Sequence, residues 1–382
     1  MQLLPVTSRS LGIGDPRPGL IESRVRHIRA QAIRAGLPLC AHVRELRQTP
    51  ETQASRMHLL FHMIRRLWPV AVLLLILVVP ARAQVAVVLN SRDASVSLID
   101  QKTFTEVGRV DVGKEPHHLY PKPDGKSLIV ANALSNDLHF LDPITGQMQR
   151  RLRDIDDPYQ IGFSPDNKWF VAVALRLDRV DIYRYDGKDL TIAQRIPLPK
   201  SPSHVWFSAD SRFAFVTLQE SEGLAAIDLG TLQVAWTMKV GKLPAGVIMT
   251  PDDKHLLVGI MGQDCVEVID WRERKSVGCI KTGKGAHNFR GQGDKRHIFV
   301  SNRVGNTISR IDTTTLKVVD TMEVPGGPDD MEITDDGKFM WVTSRFAKQV
   351  SVIDLEQRKV VRTIRVGRSP HGIYFSNRAP LL

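Results

Sequence analysis

The segment QVSVIDLEQRKVVRTIRVGRSPHGIYFS at residues 349–376 decides the fold, because its parts recur along most of the chain. An apolar stretch ends in an aspartate that recurs with spacings of 42, 44, 42, 42, 42 and 42 residues, at Asp100, Asp142, Asp186, Asp228, Asp270, Asp312 and Asp354. A proline recurs with the same spacings at Pro116, Pro158, Pro202, Pro244, Pro328 and Pro370, with Ala286 in the fifth place. This regularity indicates structural repeats of about 42 residues.

Each repeat has the pattern of four short strands. One strand follows the proline, and a turn such as PDGK at 123–126 leads into a second strand such as SLIVAN at 127–132. The stretch ending in aspartate is the third strand, and a stretch such as KVVRTIRV at 359–366 is the fourth. Short strands rich in Val, Ile and aromatic residues, four to a repeat of this length, predict a β-propeller: a ring of four-stranded blades around a central channel.

The two ends of the repeat region predict how the ring closes. The last stretch, HGIYFS at 371–376, supplies only the first strand of a seventh unit. The missing three strands are VAVVLN at 85–90, SVSLID at 95–100 and TFTEVGRVDV at 103–112. The sequence therefore predicts an all-β, seven-bladed β-propeller over residues 84–382. Each blade has four antiparallel strands, and both termini close the last blade, which removes free sheet edges.

Residues 57–83 have the three-part pattern of a secretory signal peptide. Arg65 and Arg66 precede an uncharged run of 15 residues at 67–81, and Ala81-Arg82-Ala83 fits a cleavage site. A spanning helix needs about 20 residues, so a retained anchor is the alternative interpretation. We expect a mature chain that starts at Gln84, is periplasmic or secreted, and keeps no membrane span.

Residues 1–56 precede this leader and are rich in arginine. We interpret them as a start-site artefact or a disordered upstream segment, with a genuine cytoplasmic extension as the alternative. The formal net charge of the chain is +11, but residues 1–83 hold 12 Arg against 4 acids, whereas residues 84–382 hold 40 basic and 37 acidic residues. The folded part thus lacks the basic excess of a nucleic-acid-binding domain, and no nucleic-acid partner is expected.

Candidate site residues lie just after the repeated proline, where the loops that precede the first strands open on one face of the ring. His287, Asp329, His371 and His117 occupy one position on four consecutive blades and have the ligand types of zinc, copper or iron sites. They form the predicted metal set, and a transition metal is the one cofactor suggested. Basic residues in the loops between second and third strands could hold an anionic ligand: Arg92, Arg176, Arg303 and Arg345.

The wider prediction is a ligand-binding rim made of His117, His204, His287, Asp329, His371, Arg92 and Arg345. The alternative is that imidazoles at a wet channel mouth bond only to water or to loop carbonyls. The chain has no CxxCH haem-attachment motif, no G-x-S-x-G elbow, no Walker loop and no HExxH, so no reaction is assigned from motifs.

A disulfide is predicted between Cys265 and Cys279. If Val268 faces Ser276 across the hairpin, the two cysteines face each other, at about 4.5 Å between Cα atoms in a non-hydrogen-bonded pair. An oxidising compartment would permit the bond, and two buried thiols are the alternative.

The stretches VSVID, KVVRTIRVGRSPHG and PDGKSLIVAN resemble the YVTN repeats of YncE-like bacterial propellers, over all of 84–382. The same repeat is more loosely similar to haem d1 propellers and to lactonase-type propellers. The resemblance implies the seven-bladed fold but no single activity, because one fold serves many functions. We expect an exported binding module whose channel face takes a protein, a metal or a small anionic cofactor. The alternative is an enzyme or cofactor carrier of the haem d1, quinone or lactonase kind, with a deep pocket rather than a shallow rim.

Overall fold

A computed structural model describes residues 84–382. These residues form 28 strands in seven four-stranded antiparallel sheets, which confirms the predicted all-β, seven-bladed propeller. The predicted leader and upstream segment lie outside the described residues. Within residues 84–382, no helix is long and apolar enough to span a membrane.

The strands are numbered in chain order, and the blades are numbered 1 to 7 from the first complete one. The chain begins with β1 (Val85–Asn90), β2 (Ser95–Asp100) and β3 (Thr105–Asp111). Blade 1 has β4 (Pro116–Pro121), β5 (Leu128–Asn132), β6 (Asp137–Leu141) and β7 (Met148–Arg153). Blade 2 has β8 (Pro158–Phe163), β9 (Trp169–Ala174), β10 (Arg179–Tyr185) and β11 (Leu190–Pro197), with a 3₁₀ turn at Leu175–Leu177. Blade 3 has β12 (Pro202–Phe207), β13 (Phe213–Leu218), β14 (Gly223–Asp228) and β15 (Gln233–Lys239).

Blade 4 has β16 (Pro244–Met249), β17 (His255–Ile260), β18 (Cys265–Asp270) and β19 (Lys275–Lys281). Blade 5 has β20 (Ala286–Gly291), β21 (His297–Asn302), β22 (Thr307–Asp312) and β23 (Lys317–Glu323). Blade 6 has β24 (Pro328–Ile333), β25 (Phe339–Ser344), β26 (Gln349–Asp354) and β27 (Lys359–Arg365). The last strand, β28 (Pro370–Tyr374), pairs with β1, so blade 7 is β28-β1-β2-β3, as predicted.

The repeated residues have the structural roles that turn chemistry gives them. Every repeated proline, and Ala286 in its place, is the first residue of the first strand of a blade. The repeated aspartate is the last residue of the third strand or, at Asp142 and Asp186, the residue just after it, and its carboxylate accepts backbone N–H groups of the following turn. In the first repeat, Asp100 Oδ1 accepts from Lys102 N and Thr103 N, both at 2.8 Å. The repeated aspartate therefore fixes the turn between the third and fourth strands of a blade, which keeps the repeat length close to 42 residues.

The core lies between neighbouring blades. One buried cluster joins Val171 and Val180 of blade 2 to Val205 and Val216 of blade 3, and similar clusters fill the other junctions. Phe215, Phe299 and Trp341 on second strands are fully buried, and half-buried Trp206 packs against the clusters beside blade 4. The first strands contact each other around the ring, so their side chains line and fill the channel.

A β-bulge interrupts the first strand of every blade just after its first residue. In blade 1, Pro116 pairs with Asn132 and Leu119 with Val130, so His117 and His118 together oppose the single residue Ala131. The same irregularity recurs in the other six blades. A bulge turns side chains away from the strict alternation of a strand. Two successive residues per blade can therefore reach the channel at this level.

The predicted register of the cysteine hairpin is wrong, although the two cysteines are bonded. A bulge between Val268 and Ile269 places Cys279 opposite Glu267 and Cys265 opposite Lys281. The cysteines are diagonal neighbours on the two strands, with Cα atoms 5.9 Å apart and their sulfurs joined.

Candidate functional site

A cluster of buried histidines lies inside the channel at the level of the bulges. His117 and His118 come from blade 1 and His371 from neighbouring blade 7. One ring nitrogen from each of these three lies within 4.8 Å of the other two. Their rings are close, with 3.8 Å between the centroids of His117 and His371 and 4.8 Å between those of His118 and His371. Such a set of imidazoles is suited to zinc, copper, nickel or iron.

The imidazole nitrogens of this cluster are short of protein partners. His117 Nδ1, His118 Nε2 and both ring nitrogens of His371 are buried without a hydrogen bond, and so is His204 Nε2. The exposed fraction of His371 is 0% and that of His117 is 2%. Buried polar atoms normally have partners, because leaving one unsatisfied costs about 1–3 kcal/mol. These nitrogens are therefore available to a ligand.

Carboxylates from blade 6 lie beside the histidines. Asp329 Oδ1 is 3.0 Å from His287 Nδ1 and 2.5 Å from Arg303 Nη2, while Asp329 Oδ2 is 3.2 Å from Arg345 Nη1. Asp330 Oδ2 lies 3.5 Å from His371 Nδ1. The Asp329 carboxylate thus faces two guanidinium groups, whereas the Asp330 carboxylate lies beside His371 and accepts a hydrogen bond from Asn288 Nδ2.

Burial controls the protonation of this region. It lowers the pKa of His117 well below 6.5 with help from neighbouring His371, and it lowers the pKa of His118 to about 3. Burial and the Arg303 guanidinium lower the pKa of His287 to about 4. Burial alone would raise the pKa of Asp329, but Arg303, His371 and His287 outweigh it and hold that pKa well below its usual value. His117, His118 and His287 are therefore neutral at neutral pH, the form of histidine that binds metals.

The structure places the predicted metal set in two adjoining pairs. His117 lies against His371, as expected of equal repeat positions, and His287 lies against Asp329, which also pairs with Arg303. Asp329 Oδ2 is 3.5 Å from His371 Nε2, so the two pairs are in contact. The ring of His204 lies between those of His118 and His287, with centroid distances of 5.3 and 5.4 Å.

Of the predicted basic residues, Arg345 reaches Asp329, but Arg92 is exposed and its side chain forms no hydrogen bond or ion pair within residues 84–382. Arg176 pairs instead with Asp157 and Glu115. The histidines do not form the shallow, wet rim of the first prediction, because they are buried among one another.

Sequence reasoning left His118 out of the metal set. Successive residues of a strand point to opposite faces, so a regular strand places His118 away from His117. The bulge removes that constraint. Two hydroxyls that oppose the bulge in other blades accept its extra N–H: Thr217 Oγ1 from His204 N and Thr343 Oγ1 from Asp330 N.

A second buried network lies three residues further along the first strands, toward the opposite face. Arg290 Nε donates to Glu332 Oε1 at 2.7 Å, and Arg378 Nη1 donates to Glu332 Oε2 at 2.7 Å. Arg290 also donates to the carbonyls of Ala379, Pro380 and Leu381. The equivalent position is uncharged in the other five blades, where it is Tyr120, Gly162, Trp206, Ile248 and Tyr374. The opposite charges of Arg290 and Glu332 on adjacent blades could therefore have been used to predict this ion pair from the sequence.

Seven four-stranded blades around a channel whose interior holds a histidine cluster define the molecule as a seven-bladed β-propeller. The chain belongs to the YNCE-like beta-propeller family, whose profile matches residues 70–381. No curated protein matches the chain.

Three solved structures share the fold. Dihydro-heme d1 dehydrogenase NirN in complex with DHE is 16% identical with a TM-score of 0.58, covering 78% of this chain and 76% of NirN. A functionally unknown protein from Desulfotomaculum acetoxidans is 11% identical with a TM-score of 0.66, covering 76% of this chain and 98% of that one. A putative 6-phosphogluconolactonase from Bacteroides uniformis is 14% identical with a TM-score of 0.63, covering 77% and 99%. At these identities the likeness concerns the fold alone.

Proposed function

We propose that the protein binds a divalent transition-metal ion in the channel through His117, His118 and His371. The observation that supports this is the convergence of three buried imidazoles. One ring nitrogen of each lies within 4.8 Å of the other two, and four of the six ring nitrogens have no hydrogen-bond partner. Imidazole ligands favour zinc, copper, nickel or iron over magnesium or calcium. Asp330, beside His371 Nδ1, is placed to orient that ring as carboxylates commonly do behind metal-bound histidines.

Metal titration of chelator-treated protein tests the proposal. We expect one Zn²⁺ or Cu²⁺ per chain by isothermal titration calorimetry and by elemental analysis of dialysed protein. His117→Ala, His118→Ala and His371→Ala should each weaken binding by about 10-fold or more. His139→Ala is the matched control, because His139 is also buried with both ring nitrogens unpartnered but lies on β6 of blade 1, away from the cluster. Absence of saturable binding, or equal loss in the control, would exclude the site.

A second candidate function is that the bound metal holds or activates a small molecule. Three protein ligands leave a coordination position open, as in catalytic zinc sites. The buried convergence of His, Asp and Arg, in place of a shallow rim, is the observation that favours this candidate. Co²⁺ substitution tests it, because azide or cyanide binding at an open position changes the visible absorption of Co²⁺. An unchanged spectrum at saturating azide and cyanide would indicate a closed structural site.

We also propose that the protein is exported through the leader at 57–83. Two observations support this: the signal-peptide pattern ending at Ala83, and a Cys265–Cys279 pair whose geometry suits an oxidising compartment. N-terminal sequencing of the native protein should begin at Gln84, and thiol titration of the denatured, unreduced protein should give no free thiol. A mature chain that keeps residues 67–80, or two thiols per chain, would contradict export with cleavage and an oxidised pair.

A further inference from the structure

A cavity of about 650 Å³ lies in the channel on the side of blades 1 to 4. Its inner end is formed by His118, Gln160 and Val205, at the level of the bulges. Its outer end lies among turns at 122–125, 164–167 and 250–253, on the face opposite the loops that precede the first strands. Its volume is in the range of small-molecule sites.

The repeat explains why space opens on this side. The position that carries Arg290 in blade 5 and Glu332 in blade 6 is Gly162 in blade 2, between Tyr120 and Trp206 of the adjacent blades. Charged side chains and residues 379–381 therefore fill one half of the channel, whereas the half around Gly162 stays open. Leu381 and Leu382 form a wall of the cavity.

The lining of the cavity is apolar and rich in rings. Tyr120, Phe163, Trp206 and Phe207 line it together with Ile161, Val205, Met249 and the two leucines. Tyr120, Trp206 and Phe207 are only partly buried, although they lie on first strands inside the ring. Leaving such surfaces in contact with water is unfavourable, and flat aromatic partners cover them best.

Two polar groups in this apolar space lack protein partners. His118, at the inner end, has an unpartnered Nε2, and the Tyr120 hydroxyl forms no hydrogen bond within residues 84–382. A few polar groups in an apolar cavity fix the orientation of a ligand. We propose that this cavity binds an apolar, ring-bearing small molecule that enters from the face of the 122–125 turn and carries a polar group toward His118. The cavity shares His118 with the proposed metal site, but its apolar lining does not require a bound metal.

The test uses 1-anilinonaphthalene-8-sulfonate, an aromatic probe whose fluorescence rises in apolar sites. The natively folded protein should bind one probe per chain, with a fluorescence titration that saturates. Trp206→Ala should weaken binding by about tenfold or more, because one aromatic contact is lost. Trp206→Phe should restore most of it. Trp236→Ala is the matched control, because Trp236 is a half-buried tryptophan of the same blade, packed against the same hydrophobic cluster, but on β15 outside the cavity.

A second variant separates binding from folding. Ala209 is an exposed turn residue at the cavity mouth, so Ala209→Trp should lower probe affinity while the melting temperature stays unchanged. His117→Ala, which removes a metal ligand outside the cavity lining, should leave probe binding unchanged and so separates this site from the metal site. The proposal is overturned if wild-type protein shows no saturable binding, if Trp206→Ala and Trp236→Ala weaken binding equally, or if neither Trp206→Ala nor Ala209→Trp weakens it.

Discussion

Two levels of the channel bury polar side chains, but they differ in whether those side chains have hydrogen-bond partners. At the level of Arg290 and Glu332, the charged groups are matched by partners: the carboxylate faces two guanidinium groups, and Arg290 also reaches three backbone carbonyls. At the level of His117 and His371, ring nitrogens are equally buried but have no hydrogen bond. Satisfied buried polar groups stabilise a structure, whereas unsatisfied ones destabilise it unless a ligand completes them. The first level therefore fits a structural role, and the second is the level at which we propose that a ligand binds.

The largest expected effect comes from breaking the satisfied level. Glu332→Ala leaves Arg290, 2% exposed at its side chain, with its main counter-charge removed. An uncompensated buried charge costs about 3–5 kcal/mol of unfolding free energy. Denaturant unfolding should show this loss, while metal binding by the remaining folded protein stays intact. Glu323→Ala, an exposed glutamate on β23, is the control and should change stability by less than about 0.5 kcal/mol. If Glu332→Ala lowers the unfolding free energy no more than Glu323→Ala does, the Arg290–Glu332 pair does not contribute to stability.

Metal binding at the level of His117, His118 and His371 should stabilise the folded protein. A ligand that binds only the folded state adds about 2.7 kcal/mol at 100 times its Kd. The melting temperature of wild-type protein should rise with Zn²⁺ or Cu²⁺ concentration, and so should that of the His139→Ala control. Variants lacking His117, His118 or His371 should not respond. A response that survives all three substitutions would locate the metal elsewhere.

His371→Leu sharpens the contrast between function and stability. The substitution removes two buried ring nitrogens that lack hydrogen bonds, and an unsatisfied buried group costs about 1–3 kcal/mol. Metal-free His371→Leu should therefore be as stable as wild type or more stable, although it no longer binds metal. His139→Leu removes a comparable pair of unpartnered nitrogens and should keep metal binding. A large loss of stability in His371→Leu alone would mean that the ring serves the fold.

Acid should weaken the metal-free protein through the histidine level only. The folded pKa values of His118 and His287 are about 3 and 4, below the unfolded value of 6.5. Between pH 6.5 and 4 the unfolded chain therefore binds more protons, and stability falls as pH falls, by up to about 1.4 kcal/mol per pH unit for each histidine. Thermal unfolding across this range should show the decline, and the double variant His118→Leu/His287→Leu should make it shallower without abolishing it, because burial also lowers the pKa values of His117 and His204. An equal slope in that variant would assign the acid sensitivity to other groups.

The repeat pattern was enough to predict the fold. The recurring proline, with Ala286 in its place in blade 5, gave the start of every first strand from β4 to β28. The recurring aspartate gave the end of every third strand to within one residue, because both positions act through local turn and strand chemistry. Closure of blade 7 followed from counting strands at the two ends of the repeat region.

The candidate site was less predictable, because bulges are invisible in the repeat. A one-residue bulge after Pro116 brings His118 to the side of His117. In the cysteine hairpin, Ser276 pairs with Ile269 and not with Val268, and a one-residue bulge after Val268 adds a second residue to the shift in register. Equal positions on consecutive blades did converge, but their pairing depends on neighbours: Arg303 and Asp329 hold His287 away from the metal set. Which neighbour a side chain contacts depends on the geometry between blades, and this cannot be predicted from the sequence of one repeat.

The pairing of β28 with β1 has a consequence for synthesis. These strands share a sheet, although 280 residues separate Asn90 from Pro370. Contacts so distant in sequence form late, because a long loop must close first. His371 is the second residue of β28, so a nascent chain that has not yet produced this strand holds His117 and His118 but not the third imidazole. On the metal-binding proposal, the complete set of three imidazoles therefore forms only after the last strand has been synthesised and the ring has closed.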